Sequence, residues 1–173
     1  MNPIVIVSGI HGDEPAGNVA AKCFEGKDNV IVLSDINQTG KRRLGSQDLN
    51  RHFDQDGHDI QNSILSYIES LNPQLVISLH EDDKARGVYV YCSKQISDSI
   101  KKVLLKYNLP LAKSAYGDRT DSGVIDNGNQ PYKGTLERAL NRRGISYCTI
   151  ETPLHLELEQ RVNIFKKLVS ELI

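Results

Sequence analysis

Two histidines and two glutamates stand where short apolar runs end, and together they could bind a metal and move a proton. The run Ile4–Ser8 passes into Gly9-Ile10-His11-Gly12-Asp13-Glu14. Residues 75–79 pass into His80-Glu81-Asp82-Asp83, and residues 145–150 into Glu151-Thr152-Pro153. At a strand-to-helix turn, His11-x-x-Glu14 can aim a ring nitrogen and a carboxylate at one point, a donor pair that suits zinc. The pair alone is weak, because acidic residues at a helix start also complement the helix dipole. His80 adds a third donor, and a catalytic zinc site takes three protein ligands and leaves one position open. Read singly, His80 is equally a hydrogen-bonded core histidine, and residues 81–83 a solvated loop. Glu151 is either a general base or a cap for the helix that follows. What singles these residues out is that three separate strands end in them.

The elements that must position them alternate. Strands are expected at Ile4–Ser8, Val30–Leu33, 75–79, 87–92 and 145–150. Helices are expected at 14–24, with Pro15 in its first turn where a missing N–H costs nothing, and at 60–71, 96–107, 135–143 and 155–173. Gly144 stops the fourth helix in the usual left-handed manner. Two stretches, 34–59 and 110–133, show almost no periodicity, and loops that long in a compact domain are usually functional. Alternation of this kind predicts an α/β fold, a three-layer α/β/α sandwich on a mostly parallel, mixed central sheet. In such sheets ligands bind at the carboxyl ends of the strands, where the candidate residues lie.

The chain has 173 residues, which suits one domain spanning 1–173. With 21 Lys and Arg against 22 Asp and Glu, it has no basic excess for binding nucleic acid by counterion release. The apolar runs are too short to span a bilayer, and Met1-Asn2-Pro3 carries no basic leader, so a cytoplasmic location is expected. Cys23, Cys92 and Cys148 are an odd count without a C-x-x-C pair, which suits a reducing compartment. The glycine turn at 9–14 lacks the G-K-[ST] ending of a phosphate loop and places Asp13 and Glu14 where phosphate would sit. No G-x-S-x-G elbow occurs, which argues against a serine hydrolase.

In order and spacing, Gly9 to Glu14, Arg43, Asp48-Leu49-Asn50-Arg51, Leu79-His80 and Ile150-Glu151 resemble the zinc carboxypeptidase family. Its relatives, the succinylglutamate desuccinylases and aspartoacylases, share the pattern. The resemblance spans nearly the whole chain. It implies zinc on His11, Glu14 and His80, with Asp48 holding the other nitrogen of the first ligand histidine. Asn50 and Arg51 match the pair that grips a substrate's free carboxylate, for which the planar guanidinium is well shaped. Arg43 matches the arginine that polarises the scissile carbonyl; Arg42 is the competing assignment, and the seven-residue offset to Asn50 favours Arg43. Glu151 matches the general base and proton shuttle, and Tyr132 lies in the region of the tyrosine that caps the substrate carboxylate.

The resemblance implies a metallocarboxypeptidase acting on short peptides. An N-acyl amino acid deacylase is the near alternative, and a non-catalytic peptide- or carboxylate-binding module is the rival from another class. Glu151 argues against the last, since binding alone needs no base. The partner expected is a small peptide or N-acyl amino acid substrate, with no nucleic acid and no membrane; a homo-oligomer is left open. Family members are longer, so the cleft is expected to be open or completed by a partner chain.

Overall fold

The computed structural model describes residues 2–115, 118–126 and 132–173. Strand β1 (Ile4–Ser8) is β-branched and wholly buried, and it leads through a turn into helix α1 (Pro15–Lys22). Strand β2 (Val30–Leu33) follows. A short hairpin of β3 (Arg43–Leu44) and β4 (Gln47–Asp48) then runs into a 3-10 turn at Leu49–Arg51. Helix α2 (Asp59–Ser70) precedes strand β5 (Leu75–Asp82), and strand β6 (Tyr89–Cys92) precedes helix α3 (Ser97–Lys106). Two short strands, β7 (Ser114–Ala115) and β8 (Asp118–Arg119), pair with each other. Strand β9 (Val124–Asp126), helix α4 (Leu136–Arg142), strand β10 (Tyr147–Pro153) and helix α5 (Leu158–Ser170) close the chain.

Six strands form the central sheet in the order β2-β1-β5-β10-β6-β9. The first four run parallel; β6 is antiparallel to β10, and β9 is parallel to β6. The sheet is therefore mixed and mostly parallel, as expected. Alternate side chains of a strand face opposite sides, and the core divides accordingly. Ile4, Ile6, Ile77, Leu79, Cys148 and Ile150 pack with α1, α3 and α5. Val5, Val7, Val76 and Tyr147 pack on the other side with α2 and α4. No helix among the described residues is long and apolar enough to cross a membrane.

Three features differ from expectation. Strand β5 does not stop at 79 but continues through Asp82, so Glu81 and Asp82 are buried sheet residues, not a solvated loop. They are tolerated because each is partnered: Asp82 accepts from Tyr89 Oη at 2.8 Å, and Glu81 pairs with Arg161. The stretch 34–59 contains the β3–β4 hairpin, and the stretch 110–133 supplies the edge strand β9. Strands of two or three residues leave no hydrophobic period to read.

Candidate metal centre and active site

The parallel register of β5 and β10 sets His80 beside Glu151 as cross-strand partners. Both belong to the side-chain row facing α2 and α4, so both reach the same end of the sheet on the same face. The turn after β1 brings His11 and Glu14 to that point. It is held tightly: Gly12 N–H donates to the Lys41 carbonyl at 2.9 Å, and a Cβ on Gly12 would stand 2.6 Å from the Asn37 carbonyl oxygen. Glycine is thus required by close approach of two chain segments.

His11, Glu14 and His80 are each at most 4% exposed. One donor atom from each lies within 4.8 Å of the others. The Glu14 carboxylate faces both rings, with Oε1 2.8 Å from His11 Nδ1 and Oε2 3.0 Å from His80 Nδ1. The far nitrogen of His11, Nε2, donates to Asp48 Oδ1 at 2.9 Å. A carboxylate on the outer nitrogen fixes the ring and leaves Nδ1 as the donor, the usual support of a metal-binding histidine. His80 Nε2 is buried without a hydrogen-bond partner. Two imidazole nitrogens and one carboxylate, buried and mutually facing, fit a divalent metal.

The same contacts govern protonation. Burial opposes a charge on His11, but Asp48 and Glu14 outweigh it and raise its pKa from 6.5 to about 9. His80 is likewise raised against burial, chiefly by Glu14. Glu14 is held below the ordinary carboxylate range, its burial outweighed by the two histidines. Burial, with help from Glu14, Asp82 and Glu137 and against His80, pushes Glu151 up to about 8. Because a metal needs neutral imidazole, loading near pH 7.5 should expel at least the His11 proton. The raised pKa stabilises the metal-free protein fully below pH 6.5, and that gain fades as pH rises through about 9. Metal affinity should therefore climb about tenfold or more per pH unit up to that point. Calorimetry in buffers of different ionisation enthalpy measures the proton release, and no release would contradict the assignment.

His11, Glu14 and His80 open into a cleft of about 180 Å³. Asn50, Arg51, Tyr132 and Glu151 line it. Asn50 is buried, and its Oδ1 accepts from Leu136 N at 2.9 Å, so it joins the 3-10 turn to the start of α4. Arg51 is exposed, with Nη1 donating to the Asn50 carbonyl at 2.7 Å. The Arg51 backbone packs on Gly134, whose φ of 81° and lack of a Cβ allow the contact. Tyr132 stands at the mouth, 48% exposed.

Arg43 is a correction. It is exposed, donates to the Ser46 carbonyl at 3.2 Å, and does not line the cleft. Arg42 lies there instead, with Nη2 3.1 Å from Glu14 Oε1 and Nη1 3.3 Å from His11 Nδ1. The cause is local. The Lys41 carbonyl is pinned by Gly12 N and Asn37 Nδ2, so residue 42 turns inward, and residue 43 falls on the opposite side as the hairpin begins. Sequence reasoning also missed Glu137, a buried carboxylate that lines the cleft and accepts from Thr149 Oγ1 at 2.7 Å. The available signal was parity: Thr149 is two residues before Glu151, hence on the same face of β10.

No protein-family model matches the chain, and no curated protein matches it. Solved structures do. A candidate metallopeptidase from Shewanella denitrificans superposes with a TM-score of 0.81 at 22% identity, covering 98% of this chain and 72% of that one. The succinylglutamate desuccinylase/aspartoacylase from Rhodobacter sphaeroides matches with a TM-score of 0.66 at 16% identity, covering 98% of this chain and 53% of that one. Murein-tripeptide amidase MpaA from Escherichia coli O157 gives 0.65 at 14% identity, covering 95% and 81%.

This is the zinc carboxypeptidase-like fold. This chain spans about half the length of the desuccinylase/aspartoacylase. Within the zinc carboxypeptidase-like fold, the cleft described above occupies the carboxyl ends of β1, β5 and β10, the position where α/β sheets gather their ligands.

Proposed function

We propose that this protein is a zinc-dependent hydrolase that cuts an amide bond close to a free carboxylate, most simply in short peptides. The observation that carries the proposal is the buried His11, Glu14 and His80 set with Glu151 beside it and two arginines in one cleft. When bound there, zinc supplies Lewis acidity that polarises the amide carbonyl and acidifies water. Glu151 takes the proton of the attacking water and returns it to the leaving amine, a role suited to a carboxyl held near pH 8. Arg42 faces the place where carbonyl charge develops. Arg51, with Asn50, holds the substrate's free carboxylate. Glu137 offers a buried negative charge that suits a cationic group on the substrate.

A second reading has support from size. A cleft of about 180 Å³ is small beside the 300–1,000 Å³ typical of ligand pockets, which favours an N-acyl amino acid over a longer peptide. The chemistry is the same.

The test pairs metal analysis with a substrate panel. Purified protein should hold one zinc per chain. It should cleave acylated amino acids and dipeptides as free acids and neglect their carboxyl-amidated twins. In Arg51→Ala most of that preference should vanish. Absence of metal after reconstitution would instead favour a binding module, and an undiminished preference in the variant would place the carboxylate site elsewhere.

A further inference from the structure

We propose that Glu81 and Arg161 form a positioning clamp that sets the spacing between Glu14 on the α1 side and His80 on β5, and through it the affinity for metal. The inference rests on the metal-site reading above and extends it to residues that touch no metal donor. It begins from helix α1, whose first N–H groups need acceptors. Its N-cap residue is Glu14, yet Glu14 makes no capping bond, because its carboxylate is turned toward His11 and His80. Pro15 has no N–H, so Ala16 carries the first free donor of the helix. That donor is satisfied from another element: Ala16 N–H donates to Glu81 Oε2 at 2.9 Å.

Glu81 follows the ligand His80 directly on β5, and its side chain lies in the row facing α1 and α5. It is 2% exposed, and its other oxygen, Oε1, pairs with Arg161 Nη1 from α5, itself 9% exposed. One carboxylate thus joins the strand of one ligand to the helix that starts at another, while α5 braces it. The packing agrees: a Cβ on Gly17 would stand 3.1 Å from both Leu79 Cβ and the Leu79 carbonyl oxygen, so α1 sits hard against β5 just before His80. Buried ion pairs often add little or nothing to folding compared with apolar side chains of similar volume. Stability alone is therefore a weak reason for this pair, and fixing two ligands at one distance is a strong one. Supports one step removed from a metal typically change affinity by about 10–100-fold.

The experiment measures zinc affinity by chelator competition, the cobalt(II) spectrum, and thermal unfolding of the metal-free protein. Glu81→Leu with Arg161→Met replaces the pair by apolar side chains. It should unfold at or above the wild-type temperature, yet bind zinc about 10–100-fold more weakly with an altered cobalt spectrum. Glu81→Gln with Arg161→Met keeps an acceptor for Ala16 N–H and should recover most of the affinity. Wild-type affinity in the Leu/Met protein would overturn the clamp, as would a Gln/Met protein as weak as the Leu/Met one. If the Leu/Met protein does not fold, Glu81→Met with Arg161→Met, which likewise removes the acceptor for Ala16 N–H, is read the same way. A wild type that binds no zinc would overturn the metal-site reading itself, and the clamp with it.

Discussion

Glu151→Gln should keep zinc within a few-fold of wild-type affinity and lower turnover by about 10²–10⁴-fold. The amide has nearly the shape of the carboxyl but cannot accept the proton of the attacking water. Glu151 lies in the interior of β10, paired in register with His80 on one side and with Tyr89 on the other, so the substitution leaves the backbone ladder untouched. A second consequence runs in the opposite direction. Its pKa is raised from 4.5 to about 8 by burial, aided by the acids around it. Between those values the unfolded chain has ionised while the folded one holds its proton, so Glu151 costs the metal-free protein stability as pH rises from about 4.5 to 8. Glutamine removes that cost, and the metal-free variant should melt above wild type at pH 8. Loss of activity with gain of stability is the expected pair of results. Unchanged turnover would make Glu151 a structural residue.

Arg42→Ala should lower kcat by about 10²–10³-fold, the usual effect of removing one donor to a developing oxyanion, whereas Arg43→Ala should stay near wild type. The contrast follows from where the two guanidinium groups lie. Arg42 points between His11 and Glu14, 3.1 Å from Glu14 Oε1, while Arg43 faces solvent beside Ser46. The effect should appear in kcat more than in KM, because the charge develops in the transition state. Steady-state kinetics of the two single variants decide it. A large loss in Arg43→Ala with little change in Arg42→Ala would reinstate the assignment that sequence spacing favours.

The difference between those two arginines also marks how far the sequence could be read. The apolar runs before His11, His80 and Glu151 were legible and their alternation with helices fixes the sheet class, but β5 and β10 continue past those runs to Asp82 and Pro153. Asp48 came as the partner of His11 only from the family resemblance, and the 2.9 Å bond is there. Sequence spacing favours Arg43 over Arg42, but which of them faces the cleft depends on which carbonyl pins the loop, a contact between residues 12 and 41 that no local pattern encodes. Glu137 was missed for a similar reason: in sequence it is an ordinary acid in the first turn of a helix. The burial of Glu81 and Asp82 was hidden because a run of three acidic residues reads as solvated unless the partners, Arg161 and Tyr89, are known to arrive from other elements.

The pairing of His80 with Glu151 across adjacent parallel strands has a bearing on how such a site changes over evolutionary time. The separation of His80 and Glu151 is written into the backbone ladder of the two central strands, not into any loop. Segment 34–59 lies outside that ladder. That segment carries Arg42, Asn50 and Arg51, which line the cleft, and Asp48, which holds His11. The His80–Glu151 spacing therefore resides in a different part of the chain from Arg42, Asn50 and Arg51, so residues lining the cleft can vary while that spacing stays fixed.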